Sequence, residues 1–406
     1  MEKFSKKKIN AEHISDNDQG IKISTLIKLI EDSPLATELL SLMNIDAIKD
    51  EFISIPGAQT LVHVQKTIKK AFRKEDLKSI LDNISLYNGD EFTINFNNLK
   101  SSDYLSELKL TNISTIPIYS ASRSFFSELY QMDKYASKLI DSGRKAIVEE
   151  NLKMLKKVHK VSKKYRLLHD LEDGTFYLRA IISTNKYYNY DNNVALVIGL
   201  LTLHEEMKKT GIIYSLKSCE YNESFIRMFF ESSDINDLKS IGRVKNIVEI
   251  SNDEIKREAL KFYGGCSITF GGSDHSKNEL FIRPQDVKSK ILSVKHSQLP
   301  ETALKELTNM ENAHTVHSEI FNDISKIVNI KEPEQIKFLV KKKVENAKSE
   351  DIKRHRIELL RTLNASADNI MQLLTIFSKI ELLADQDIEA SEYLRFIIYQ
   401  ALIEGN

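Results

Sequence analysis

The run Tyr165–Ser183, YRLLHDLEDGTFYLRAIIS, limits the fold more than any other stretch. Two apolar segments flank Asp173-Gly174, and Asp-Gly between strand-like runs is a hairpin cue because it supplies the positive φ a tight turn needs. A hairpin of this kind needs a sheet to join, and further strand-like runs surround it. SLYNGDEFTINFNN reads as two strands about an Asn88-Gly89 turn, with Phe92, Ile94 and Phe96 on one face. IIYSLKS and FIRMFFES read as strands around a polar turn, and CSITFGGSDHSKNELFIRP as two more around a glycine-rich loop. Helical spacing dominates from Ile21 to about Leu81, broken at Pro34 and Pro56-Gly57, and again from Ser122 to Ser142 before Gly143. Asp191–Asn193 predicts the cap of a helix running to about Thr210, with Gly211 as its left-handed stop. From Pro300 the pattern is helical to the end, and Pro333 suits a first helical turn.

These patterns predict an α+β fold: a central, mainly antiparallel sheet with packed helices and a helical C-terminal third. The expected divisions are a flexible tail over 1–20, a mixed helix and strand region over 21–143, a central α+β domain over 144–290 and a helical region over 291–406. Hydrophobic residues make up 41% of the chain, enough for real cores. The 58 basic residues equal the 58 acidic ones, so no global charge argues for nucleic acid or membrane, and only local charge can. Two cysteines, Cys219 and Cys266, make neither a disulfide framework nor a thiolate zinc site and fit a reducing cytosol. The polar start has no apolar core of the secretory kind. The longest apolar run, Val194–Leu201, falls far short of the roughly 20 residues of a membrane span. The expectation is a soluble, cytoplasmic protein with no membrane partner. The abundance of Asn, Lys, Ile and Ser hints at an AT-rich genome.

The hairpin and the segment after it also carry a recognisable pattern. Arg179-Ala180-Ile181-Ile182-Ser183 is followed by Lys186-Tyr187, and Asp191-Asn192 then open the helix. LKSCEYNESFIRMFFES follows as strand-turn-strand, and YGGCSITFGGSDHSKNELFIRP as a glycine-rich segment. In this order the chain resembles the phage and plasmid family called domain of unknown function 932, also described as LtrC-like phage/plasmid proteins, over roughly residues 165–290. Three features depart from the family pattern: one extra residue separates Ser183 from Tyr187, Gly272-Ser273 stand where Asn-Ser is expected, and the cysteine-Asn-Gly segment that often follows is missing. The resemblance implies a mobile genetic element and no particular reaction.

Several residues carry possible chemistry. In NLKMLKKVHKVSKKYR, Lys153, Lys156, Lys157, Lys160 and Lys164 fall on one helical face, with Ile147, Met154, Val158, Val161 and Tyr165 on the other. Such a lysine face can track phosphates by displacing condensed counterions, or it is simply a solvated face. Lys186 with Tyr187, Tyr188 and Tyr190 can stack bases and hold a single strand, or the rings cover a sheet edge. Arg179 shares a face with Tyr177 and Ile181 by strand alternation, and it either positions a phosphate or makes a structural bond. The glycines of Gly264–Glu279 lack the Gly-Lys-Ser/Thr of a phosphate loop, and Asp274 with Glu279 are imperfect stand-ins for a catalytic acid pair. His314 and His317 are spaced to share a helix face but lack a clear third metal ligand. The leading expectation is a non-enzymatic accessory protein that binds nucleic acid, single strands above all, with no cofactor and no metal. The alternatives are an oligomeric or host-defence-blocking protein that uses its C-terminal helices, and a metal-dependent nucleotide or nucleic-acid enzyme centred on the glycine-rich hairpin.

Overall fold

Asp173-Gly174 does turn a hairpin. Strands Ser162–Asp170 and Phe176–Ile182 pair antiparallel, and Gly174 takes φ +73° between them. The computed structural model describes residues 2–88, 92–158, 161–184, 187–255, 258–271, 278–307 and 310–405. It falls into two compact units, residues 64–188 and residues 1–63 with 189–406. These divisions cut across the four consecutive segments expected from sequence, because each unit gathers strands that are distant along the chain.

In the smaller unit the hairpin lies inside a six-stranded sheet. The strand order is Phe72–Ile80, Ser162–Asp170, Phe176–Ile182, Asn112–Pro117, Phe92–Asn97 and Ile84–Asn88. Every pairing is antiparallel except Asn112–Pro117 on Phe176–Ile182. One face is buried under the helix Lys145–Val158 and its neighbours, with Phe96, Phe125, Phe126, Tyr165, Leu167 and Leu178 in the core. The single helix expected over 122–142 is interrupted by a π-helical turn at Phe125–Leu129 and by Gln131 at φ +55°. Phe125, Phe126, Leu129 and Tyr130 from this turn are all buried in the same core.

The larger unit holds a seven-stranded, wholly antiparallel sheet. Its order is Lys7–Asn10, Tyr214–Tyr221, Phe225–Leu238, Gly242–Asp253 and Glu258–Phe270; the last of these pairs with both Asn278–Ile282 and Lys290–Lys295. Helix Asn192–Thr210 is buried on nearly every side, as an apolar helix without a polar stripe must be. Its Gly199 faces Ile250 and Met228 of the sheet. Asp191 caps it, accepting from Val194 N at 2.9 Å, and Gly211 ends it at φ +73°, both as the sequence predicts. Helices from Pro300 onward complete the α+β fold.

The first twenty residues are not a free tail. Lys7–Asn10 pairs with Ser218–Tyr221 at the sheet edge. The buried Asp18 carboxylate accepts from Gln59 N (3.1 Å), Thr60 N (2.7 Å) and Thr60 Oγ1 (2.7 Å), satisfying orphan amides at the start of helix Ala58–Ala71. Among the described residues no helix is long and apolar enough to cross a membrane.

Candidate nucleic-acid interface

The basic segment does not form one continuous helical face. The helix ends at Val158 and a strand begins at Ser162, so Lys164 sits on that strand with its ammonium 3.8 Å from Asp76. Lys160 lies outside the described residues. The apolar stripe is also rotated from the one expected: Val148 and Leu152 are buried with Leu155 against the same core, while Ile147, Met154 and Val158 are 46%, 65% and 76% exposed. Tyr165 is core, but from the strand.

Three lysines remain on the helix. Lys153 pairs with Glu150 at 2.6 Å in full solvent, and that bond raises its pKa. Lys156 is half-buried, which lowers its pKa, and donates to the Ile84 carbonyl. Lys157 is exposed. Lys156 and Lys157 stand in the last turn, where they also complement the helix dipole, which is reason enough for basic residues there. Beside them is a cavity of about 220 Å³. Lys153, Lys156 and Glu149 line one side, and Ile84, Leu86, Phe125, Tyr130 and Leu152 give it an apolar body.

The tyrosines are placed differently. Tyr190 is fully buried, donates its hydroxyl to Gln298 O at 3.0 Å and belongs to the larger unit, so it cannot stack a base. Tyr187 accepts from Arg166 Nη1 at 3.1 Å, with its ring 5.2 Å from the guanidinium carbon, and is half-buried, as is Tyr188. Arg166 in turn reaches Asp76 at 3.1 Å. Lys186 lies outside the described residues. Arg179 is 1% exposed and sits at a bulge, where Leu178 pairs with Leu167 and Ala180 with Arg166. The extra residue breaks the two-residue alternation, so Ile181 joins the core with Leu178 rather than sharing a face with Arg179. The residues after Tyr188 anchor the chain. Asn192 N donates to Glu254 Oε1 (2.9 Å), and Asn252 Nδ2 donates to Asn192 Oδ1 (2.8 Å) and Tyr190 O (3.2 Å).

Gly264 and Gly265 belong to the long strand Glu258–Phe270 rather than to a loop. A Cβ on Gly264 would lie 2.7 Å from Val316 Cγ1, so this glycine serves close helix packing. Gly272, Ser273 and Asp274 lie outside the described residues. Glu279 bonds to Lys217 and Ser267; burial works against its charge, but Lys217 outweighs burial and lowers its pKa. The two histidines diverge in their bonding: His314 faces Glu206 at 3.2 Å, while buried His317 bonds Ile247 O at 3.2 Å and is pushed down to about 4 by burial. One trio among the described residues, Glu51, His204 and Glu205, brings three potential metal ligands within 4.8 Å of one another. Lys208 Nζ already lies 3.1 Å from Glu51 and 3.3 Å from Glu205, where a cation would sit.

An ionic cluster that no local pattern signals lies in the larger unit. Arg227 contacts Glu392 (2.9 Å), Glu249 (3.2 Å) and Glu220 (3.3 Å). Arg283 reaches Glu392 (2.7 Å) and Glu249 (3.5 Å), and Arg395 reaches Glu381 (2.9 Å). Burial holds Glu220 and Glu381 above the usual carboxylate range despite their arginines. Burial also opposes the Glu392 charge, but Arg227 and Arg283 prevail and bring it down to about 2. Glu381 Oε2 accepts from Phe281 N (2.9 Å), and Arg395 covers the Phe281 ring at 4.4 Å. The cluster therefore fastens helices Ile370–Leu383 and Ile388–Glu404 to the sheet. No family model, curated protein or solved structure matches the chain.

Proposed function

We propose that this protein binds single-stranded nucleic acid through the smaller unit, as an accessory factor of a mobile genetic element. The observation that carries the reading is the position of Lys153 and Lys156 at the rim of an aromatic and aliphatic cavity, with exposed Lys157 beside them. Lysines supply phosphate contacts, and Tyr188 of the same unit is a half-buried ring that keeps part of its surface in solvent; cations with aromatic rings are the pairing that sequence-tolerant single-strand binding uses. The exposed Glu150–Lys153 pair is no obstacle, since solvent-facing pairs are weak and easily exchanged. The phage and plasmid resemblance supports the genetic context. Anisotropy titrations with single- and double-stranded DNA and RNA at about 50 mM salt, where phosphate contacts are strong, test the reading. Binding that favours single strands and falls with Lys157→Glu supports it, and no binding to any of the four refutes it.

A second reading rests on the other flank of the same helix. Ile147, Met154 and Val158 form an exposed apolar stripe suited to self-association. Light scattering behind size exclusion would then give a dimer that Met154→Glu converts to a monomer.

A further inference from the structure

The helix Pro333–Asn346 of the larger unit carries a basic face with an accessible ring. Between Lys326 and Lys348 stand seven lysines and three glutamates, in a chain whose total charge is zero. Glu334 is taken up by the buried Lys337, at 2.7 Å. Lys341 and Lys343 bond the amide oxygens of Asn364 and Gln400, which leave their charges uncompensated. Lys331 and Lys342 are exposed, and neither has a carboxylate partner among the described residues.

Gln335, Phe338 and Lys342 follow at i, i+3 and i+7, so they share one face of this helix. Phe338 is 51% exposed, and the Lys342 ammonium lies 4.6 Å from its ring centre. Gln335 also lines an open hollow of about 510 Å³ at the start of the helix, with Lys326, Asn329, Lys331 and one carboxylate, Glu332. Cation, amide donors, ring and cation thus follow one another along one surface. An acidic protein segment would meet the lysines, but the exposed flat ring between them suits a base better, because every base has a face to stack. An exposed cation–π contact is worth less than a stacked base, so a base takes the place of Lys342 on the ring and a phosphate takes up the lysine.

We infer that this face is a second contact for the single strand, with one base stacked on Phe338 and neighbouring phosphates on Lys331 and Lys342. The inference rests on the strand-binding reading and gives the larger unit a part in it. A 10-nucleotide strand engages the three lysines of the smaller unit first and reports their contacts alone. A 40-nucleotide strand reaches this face as well, which adds roughly −0.7 of salt slope for each of its two lysines.

The chain has no tryptophan, so Phe338→Trp places a single indole on this face. The test follows its emission, and the anisotropy of a terminal dye, as the full chain binds a 40-nucleotide oligothymidylate. The expected result is binding with quenched indole emission. Phe338→Ala should lose roughly 5- to 150-fold in affinity for the long strand, the worth of one stacked base. Lys331→Gln with Lys342→Gln should make the long-strand salt slope shallower by about 1.4 and leave the 10-nucleotide slope unchanged. Circular dichroism should show each variant folded, since all three positions are exposed. Strand binding with unchanged indole emission, or undiminished in Phe338→Ala, overturns this inference and leaves binding by the smaller unit standing. Quenching reversed by poly-glutamate at the strand's own charge concentration assigns the face to acidic proteins and also overturns it. No strand binding by the wild-type chain overturns both readings.

Discussion

Replacing Arg227 by leucine should expose how the C-terminal helices are held. Three carboxylates, on Glu392, Glu249 and Glu220, lie 2.9–3.3 Å from this one guanidinium. Glu220 and Glu249 are only 1% and 3% exposed. Removing one partner of a buried ion pair typically costs 3–5 kcal/mol, because the charges left behind can neither pair nor reach water. Arg283 still serves Glu249 and Glu392, so the loss should fall near the lower end of that range, about 3 kcal/mol. The sign of its pH dependence follows. Burial already holds the Glu220 carboxyl above its unfolded value, and losing Arg227 raises it further, so this penalty is full at neutral pH and shrinks as pH falls toward the unfolded value. The deficit relative to wild type should therefore be smaller at pH 5 than at pH 7. Adding Glu220→Gln to Arg227→Leu should recover about 1–3 kcal/mol, a coupling expected of contacting residues. The chain has no tryptophan, so urea unfolding is followed by far-ultraviolet circular dichroism. The two units can unfold separately, and the transition to read is the one that moves. A deficit below about 1 kcal/mol, or one equal at both pH values, would refute the reasoning.

Other consequences are simpler. His317 is held neutral, with a folded pKa of about 4 against 6.5 unfolded; its contribution is complete above pH 6.5 and lost as pH falls through 4, roughly 3 kcal/mol in all. His317→Gln should flatten that part of a stability-against-pH curve measured by urea titration. Asp191→Ala removes the cap of helix Asn192–Thr210 and should cost about 1 kcal/mol in the same assay, with strand affinity unchanged. Tyr187→Phe should likewise leave strand affinity within about twofold, since its hydroxyl serves Arg166; a larger loss, well above one weak hydrogen bond, would return Tyr187 to the interface.

Features set by adjacent residues were legible in the sequence. Asp191, Gly211 and Gly174 announce caps and a turn because capping and positive φ depend on one or two neighbours. The end of the basic helix was hidden because KKVHKVSKK keeps lysines at helical spacing across the boundary without a glycine or proline. The β-branched Val158 and Val161 were the weak cue to a strand ahead. FRKEDLKSI, the strand Phe72–Ile80, reads as helix by composition, and only its pairing with Ser162–Asp170 makes it a strand. Strand alternation puts Ile181 on the face of Arg179, but a single bulged residue at Arg179 reverses the alternation downstream and turns Ile181 into the core. The ionic cluster joins Glu220, Arg227 and Glu249 on the sheet to Glu381, Glu392 and Arg395 on two late helices, a separation that no local pattern spans. The hollow beside Lys153 and Lys156 escaped for the same reason: its walls come from an edge strand, a π-helical turn and a helix.

The most direct measurement of strand binding is its salt slope. Three lysines on single-stranded phosphates should give a slope of log K against log salt of about −2, at roughly −0.7 per contact. Affinity should therefore fall about 20-fold between 50 and 200 mM salt. Lys153→Gln with Lys157→Gln should bring the slope to about −0.7, leaving Lys156 and its bond to Ile84 in place. A wild-type slope near zero, or an unchanged slope in the double variant, would contradict the assignment of these lysines to phosphate.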